Sequence, residues 1–254
     1  FAGGASLFFA KDPVKKEVLN DINSELIDFY RKARTKNRLV CKVGGTTKEE
    51  FKRTVKKKNK TPCDQIKVNR CGYMGRNTWG YGCDPSSGHK RKEPAKIVLN
   101  DSLHRLRGVT LENGSFEKSF RKHDSPSTFT FMDPPYYAPK QSCVYDGGHL
   151  GAERRKNCTV HPREVCQLAK KAKGKVMITY NNHPMVRKEC RGLKIKKVDV
   201  MYSFRGTPKG SRAGERMNSR HVSNLVITNY DPKGVTKQAG KGIPNIGSVS
   251  LMIR

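Results

Sequence analysis

The chain has 254 residues, with 52 lysines and arginines against 22 aspartates and glutamates, a formal net charge of +30. That excess argues against an enzyme confined to small neutral substrates. It points to a polyanionic partner, nucleic acid first, with a basic host proteome or a salt-adapted surface as the weaker reading. No run of about 18 apolar residues occurs, so no membrane span is expected, and the length suits one α/β domain with an inserted subdomain.

The opening Phe1-Ala2-Gly3-Gly4-Ala5-Ser6-Leu7-Phe8-Phe9 reads as a Gly-Gly turn feeding an apolar helix. Free backbone N–H groups at such a helix start suit a phosphate or nucleotide, although glycine pairs also begin many ordinary helices. Lys16 to Asn23 reads as a strand ending in an acid, Asp21. In a doubly wound sheet an acid there holds ribose hydroxyls; the competing role is a cap for the next helix, which Asn23 or Ser24 could equally supply. Ser24 to Lys36 predicts a helix with Leu26, Ile27 and Tyr30 on one face.

From residue 37 to about 105 the periodicity fades and the charge rises. Between Arg31 and Lys60 there are 13 basic and 2 acidic residues. Glu49 to Val55 predicts a helix, and Lys56-Lys57-Lys58-Asn59-Lys60 an exposed arm. Asn69-Arg70-Cys71-Gly72-Tyr73-Met74-Gly75-Arg76-Asn77-Thr78-Trp79-Gly80-Tyr81-Gly82 interleaves glycine, aromatic, arginine and asparagine. Arginine and asparagine match base edges with paired donors and acceptors, and aromatic faces stack or wedge. Candidate DNA contacts are Lys56, Lys57, Lys58, Asn69, Arg70, Tyr73 and Arg76; a solvated loop is the bland alternative.

Alternating elements then resume: a strand over Arg107–Leu111, a turn at Asn113–Phe116, a helix over Glu117–Lys122 and a buried strand over Phe129–Met132. That strand runs into Asp133-Pro134-Pro135-Tyr136. Proline fixes φ and removes an N–H, and it forces the preceding residue into an extended conformation. The corner therefore holds the Asp133 and Pro134 carbonyls outward beside a carboxylate and a ring, an arrangement suited to a planar group with an amino substituent. Taken alone, the tetrapeptide is also ordinary turn chemistry. A helix follows from His161-Pro162, with Val165, Leu168, Ala169 and Ala172 inward and Gly174 as its stop. A strand covers Lys175–Tyr180, a basic glycine-rich loop Arg205–Arg220, and a final strand His221–Tyr230. Strands alternating with helices indicate a three-layer α/β domain.

The eight cysteines, at 41, 63, 71, 83, 143, 158, 166 and 190, form no CxxC pair. Reduced thiols are the default expectation. Cys63, Cys71, Cys83 and His89 match no standard zinc spacing, and Cys158 with His161 is as weak, so no metal site is expected.

In order along the chain, Phe1-Ala2-Gly3-Gly4, Asn20-Asp21-Ile22-Asn23 with the helix after it, Asn69-Arg70-Cys71-Gly72-Tyr73, Asp133-Pro134-Pro135-Tyr136, Lys175–Asn181 and Ile227-Thr228-Asn229-Tyr230 resemble a Dam-type, D12-class DNA adenine-N6 methyltransferase. The resemblance implies a Rossmann-like S-adenosylmethionine-dependent fold. Residues 1–36 would form the first, cofactor-side part of the core, 37–105 an inserted DNA-recognition subdomain, and 106–254 the remainder. It implies cofactor contacts from Phe1, Ala2, Gly3, Gly4, Asp21, Ile22, Ser115 and Phe116, and catalysis by Asp133, Pro134, Pro135 and Tyr136. The expected partner is double-stranded DNA, with a cognate restriction endonuclease in a restriction–modification setting. A cytoplasmic, nucleoid-associated monomer, or one in the host cell of a virus or phage, is expected. The family's upstream Gly-Gly-Lys segment is not found, so the sequence reads as an N-terminally truncated piece. Met74 departs from the asparagine usual there, and Ser115 from the aspartate many relatives carry. Alternatives are a non-catalytic DNA-binding remnant, or a relative acting on cytosine N4 or RNA adenine. Pro62-Cys63 echoes the cytosine-C5 methyltransferase nucleophile, but without supporting motifs it is read as chance.

Overall fold

The computed structural model describes residues 1–72, 81, 96–99, 101–137, 160–202 and 220–232. The chain forms two compact units, the first holding the described residues up to Lys122 and the second those from His123 onward.

In the first unit, α1 (Ser6–Ala10) leads to β1 (Val18–Asp21) and α2 (Ser24–Ala33). Asn23 caps α2 through its side chain, which accepts from the Leu26 N–H. The expected face of Leu26, Ile27 and Tyr30 is buried, together with Phe29 and Ala33. β2 (Leu39–Lys42), α3 (Lys48–Lys56), α4 (Pro62–Cys71), β3 (Lys96–Leu99) and α5 (Asp101–Arg105) follow, then β4 (Thr110–Asn113) and α6 (Phe116–His123). β1 pairs in parallel with β4, Val18 opposite Thr110, and β2 pairs antiparallel with β3, Val40 opposite Val98.

The described residues between 37 and 105 are more regular than the composition of that stretch suggests. Its α4 begins with a capping box, Thr61 and Asp64 exchanging side-chain and backbone hydrogen bonds, and Pro62 in the first turn. Asn69 and Arg70 lie in the last turn of that helix. Cys41, Val43, Phe51, Ile66, Val68, Ile97 and Leu103 join Leu19, Leu26, Ile27 and Tyr30 on one side and Leu106 and Val109 on the other in one core, so packing runs across both 36/37 and 105/106. The exposed arm needs one correction. Lys56, Lys57 and Lys58 are exposed, but Lys60 is buried, its Nζ donating to the Lys57 carbonyl at 3.0 Å and to Glu25 Oε1 at 3.3 Å.

One ion-pair network ties the unit's start together. The Glu17 carboxylate takes both guanidinium arms of Arg105, that to NH2 at 2.6 Å, and the ammonium of Lys11. Arg105 also lies over the Phe8 ring, 4.0 Å from its centroid. These cations hold the Glu17 carboxyl down at about 2, Arg105 being the largest cause.

The second unit is a four-stranded sheet in the order β5 (Phe129–Met132), β6 (Lys175–Asn181), β8 (Arg220–Thr228), β7 (Lys194–Tyr202). β5 and β6 are parallel, Phe129 opposite Lys175; β6–β8 and β7–β8 are antiparallel. Parallel neighbours require a crossover, and α7 (Pro162–Lys171) lies between β5 and β6 in the chain. α8 (Pro184–Glu189) follows β6. Each of these helices has proline in its first turn and a histidine cap, His161 and His183, accepting from the N–H two residues on. Val165, Cys166, Ala169, Val176, Ile178, Tyr180, Val186, Leu225 and Ile227 are buried. On α7 the innermost partner of Val165 and Ala169 is Cys166, while Leu168 is only half-buried. Gly174 is needed for close approach: a Cβ there would meet the Thr128 and Ser125 carbonyl oxygens at 2.4 and 2.5 Å.

The expectation of free thiols is corrected at four positions: Cys41 is bonded to Cys63 and Cys166 to Cys190. Cys71 is buried. Among the described residues no helix is long and apolar enough to cross a membrane, and no group of metal-ligating side chains forms.

Candidate active site

In the first unit, the opening turn is fastened to the end of β1. The nitrogens of Phe1 and Ala2 both donate to the Asn20 carbonyl, at 2.8 and 2.9 Å. Gly3 has φ +47°, a left-handed conformation that glycine adopts at little cost. Its N–H donates to Asp21 Oδ2 at 3.0 Å, and its carbonyl accepts from the Tyr30 hydroxyl at 2.6 Å. Burial, with the Asp21 charge as a second cause, pushes the Tyr30 phenol up, so it stays a donor. The other Asp21 oxygen accepts from the Asn23 N–H at 2.9 Å. Asp21 thus bridges the glycine turn and the start of α2, while Asn23 performs the capping.

The neighbouring β4–α6 turn completes this rim. Asn113 Nδ2 donates to the Asp21 and Ile22 carbonyls at 2.9 and 3.1 Å, and Asn20 Nδ2 donates to the Gly114 carbonyl at 3.1 Å. Ser115 Oγ accepts from the Lys118 N–H at 3.3 Å, capping α6. Phe116 stacks on Phe1 with centroids 4.7 Å apart. Ile22 is 57% exposed. The rim thus offers an apolar flank, a carboxylate and a glycine turn within a few residues of one strand end. Phe1 touches Phe116 and Gly3 touches Asp21, while Phe1 and Ala2 are bonded to Asn20; Gly4 and Ser115 lie beside them in the chain.

In the second unit, the Asp133–Tyr136 corner stands at the C-terminal end of β5. Pro134 is buried, whereas Asp133 is exposed and Tyr136 is 38% exposed. Among the described residues, neither the Asp133 nor the Pro134 carbonyl accepts a hydrogen bond. Three side chains from neighbouring strands hold the loop. Thr179 Oγ1 donates to Asp133 Oδ1 at 2.5 Å. Asn224 Nδ2 donates to the Tyr136 hydroxyl at 2.9 Å. Asn181 accepts from the Tyr137 N–H and donates to its carbonyl, both at 3.0 Å. Behind Tyr136, the buried Tyr180 ring lies roughly parallel at 6.4 Å. Burial, aided by Glu164, pushes the Tyr180 phenol up, and the hydroxyl donates to the Val160 carbonyl at 3.2 Å.

The chain matches the model of the D12 class N6 adenine-specific DNA methyltransferases over residues 1–204. The chain belongs to this family. It is also 24% identical over 245 residues to the type II methyltransferase M.CviBI of Paramecium bursaria Chlorella virus NC1A, covering 91% of this chain and 88% of that one. The protein is therefore a site-specific DNA adenine methyltransferase, an enzyme that adds a methyl group to adenine N6.

Of the methyltransferase's candidate DNA contacts, Lys56, Lys57 and Lys58 are exposed at the end of α3, with Lys57 Nζ 2.9 Å from Asp64 Oδ1. Asn69 and Arg70 are half-buried. Tyr73 and Arg76 lie outside the described residues, as does most of the basic loop from 205 to 220. Tyr30, Thr179, Asn181 and Asn224 are the site residues that sequence reasoning overlooked. A signal existed for two of them: Thr179 and Asn181 alternate with buried Ile178 and Tyr180, and so place polar groups on one face of a strand end.

Proposed function

We propose that the first unit holds S-adenosylmethionine on a Rossmann-like sheet and that the Asp133–Tyr136 corner receives the adenine. The residues present fit the cofactor. Phe1, Ile22 and Phe116 offer apolar surface for a nucleobase, and Asp21 retains acceptor capacity for ribose hydroxyls, because each oxygen carries a second lone pair. Ala2, Gly3 and Gly4 keep the turn slim, and Ser115 anchors Phe116 by capping its helix. When bound, the cofactor supplies an electrophilic methyl on a sulfonium.

The corner's task is set by the amine. Adenine N6 is a poor nucleophile, since its lone pair is delocalised into the ring. The Asp133 carboxylate and the Asp133 and Pro134 carbonyls are acceptors for its two N–H hydrogens. Accepting both draws the nitrogen toward pyramidal geometry and directs its lone pair at the methyl carbon. With the cofactor bound, its sulfonium would give the methyl carbon to this lone pair and keep the C–S electrons as a thioether, and the extra proton on nitrogen would pass to solvent. Catalysis of this kind rests on positioning and on acceptors aimed where charge develops. Pro135 stiffens the corner, and Tyr136 stacks on a base that has left the duplex.

The remaining assignments follow the charge. Residues 37–105, with Lys56, Lys57, Lys58, Asn69, Arg70, Tyr73 and Arg76, read the double-stranded target. The enzyme acts as a monomer where DNA is held, the nucleoid or a virus-infected host, alongside a cognate endonuclease.

The observation that carries this reading is the exposed Asp133 beside two carbonyls with no acceptor role elsewhere among the described residues. In the full chain, Asp133→Ala should reduce transfer of labelled methyl to DNA by about 10³-fold or more, the scale of losing preorganised polar groups, with DNA affinity within about threefold. Transfer within tenfold of the parent would refute the assignment.

A further inference from the structure

The Asp133–Tyr137 segment is pinned at three points by side chains that come from outside it, and all three pins share one face of the sheet. Thr179 and Asn181 are two residues apart on β6, so they point to the same side. Asn224 lies directly opposite Asn181 in the antiparallel β6–β8 pairing. Polar groups there contribute little to a core, and the opposite face already carries Ile178, Tyr180, Leu225 and Ile227, all fully buried.

Each pin acts on a different element of the corner. Thr179 has one hydroxyl proton. Asp133 Oδ1 lies at 2.5 Å and the Met132 carbonyl at 3.5 Å, so the proton goes to the carboxylate. That bond anchors Oδ1, while Oδ2 accepts no hydrogen bond among the described residues. Asn224, largely buried, donates to the Tyr136 hydroxyl and thereby anchors the tip of the ring. Asn181 pairs with both backbone groups of Tyr137, as a neighbouring strand would, and closes the segment after two prolines that offer no N–H.

We infer that Thr179, Asn181 and Asn224 form a polar rail of positioning residues, which holds the Asp133 carboxylate and the Tyr136 ring in the orientation needed to grip and polarise the adenine amine. This rests on the reading of the corner as the amine-binding site. The rail touches neither reactant. It acts by fixing the first groups that do, and small misplacements of such groups cost on the order of 10²-fold in rate.

The test uses the full chain, S-adenosylmethionine with a labelled methyl, and genomic DNA from a host lacking adenine methylation. Thr179→Val, close in shape but without the hydroxyl, should lower the single-turnover rate about 10- to 100-fold, with the KM for DNA within about twofold. Thr179→Ser, which restores the hydroxyl, should recover to within about threefold of the parent. If Thr179→Val lacks a cooperative thermal transition, Thr179→Ala replaces it with the same expectation. Asn224→Ala should slow the single-turnover rate about tenfold in the parent but less than twofold in a Tyr136→Phe background, because the group it holds is already gone. A Thr179→Val or Thr179→Ala rate within twofold of the parent, or fully additive Asn224 and Tyr136 losses, would overturn the rail while inactive Asp133→Ala leaves the corner intact. An active Asp133→Ala would instead remove the corner and the rail together.

Discussion

Glu17→Gln is the sharpest test of how the first unit holds its first helix in place. The Glu17 side chain is 8% exposed and that of Arg105 16%, so the substitution leaves a half-buried guanidinium against Phe8 without its carboxylate. A carboxyl held from 4.5 down to about 2 corresponds to a ceiling of about 3 kcal/mol at about 1.4 kcal/mol per unit. Lys11 is one-third exposed and screened, so about 2–3 kcal/mol is the expected loss at neutral pH. The sign of the pH dependence follows from the direction of the shift. A depressed carboxyl contributes fully above its unfolded value and loses that contribution as pH falls through about 4.5 toward 2. Urea unfolding of the parent and the variant at several pH values measures the difference directly, with other carboxylates cancelling. The gap should be constant above about pH 5.5 and close as the pH approaches about 2. A variant as stable as the parent at pH 7, or a gap that stays unchanged into acid, would refute the network's role.

Other outcomes follow from the same geometry. Tyr30→Phe leaves the Gly3 carbonyl without its 2.6 Å donor; thermal melts should show a loss of about 1–2 kcal/mol, and calorimetry a several-fold weaker affinity for S-adenosylmethionine. Gly174→Ala forces a methyl against two backbone carbonyls and should destabilise by about 1–3 kcal/mol or more in denaturant titration; an unchanged midpoint would show that the strand entry can yield. DNA affinity should fall about 10³-fold between about 50 and 200 mM salt, and exposed Lys58→Gln should reduce the log–log slope by about 1. A flat salt profile would remove phosphate contact as the purpose of the +30 charge.

What the sequence disclosed, and what it hid, divides along local and distant interactions. β1 ending at Asp21, the apolar face of α2, α6 and the strand into Asp133 were legible because each is encoded by its own periodicity and punctuation. α4 carried an equally local signal, Thr61-Pro62 with Asp64 three residues after the cap, yet the basic composition around it masked the pattern. The strand after Arg107 begins at Thr110, because its pairing with Val18 decides where the ladder starts. The disulfides, the buried Lys60 and the contacts of Thr179 and Asn224 with the corner depend on residues 22 to 88 positions away. No window of sequence contains both partners of such a contact.

Asp21 illustrates why alanine scanning needs care in this enzyme. Its two oxygens clasp amides of Gly3 and Asn23, residues on opposite sides of it in the chain. Truncating that side chain would unfasten the turn and the helix entrance at once, so an inactive variant could not separate a missing ribose contact from a collapsed scaffold. A side chain that clasps both flanks constrains drift as well: replacement by anything but a short carboxylate must be matched by new acceptors on both sides, which single-nucleotide changes rarely supply together.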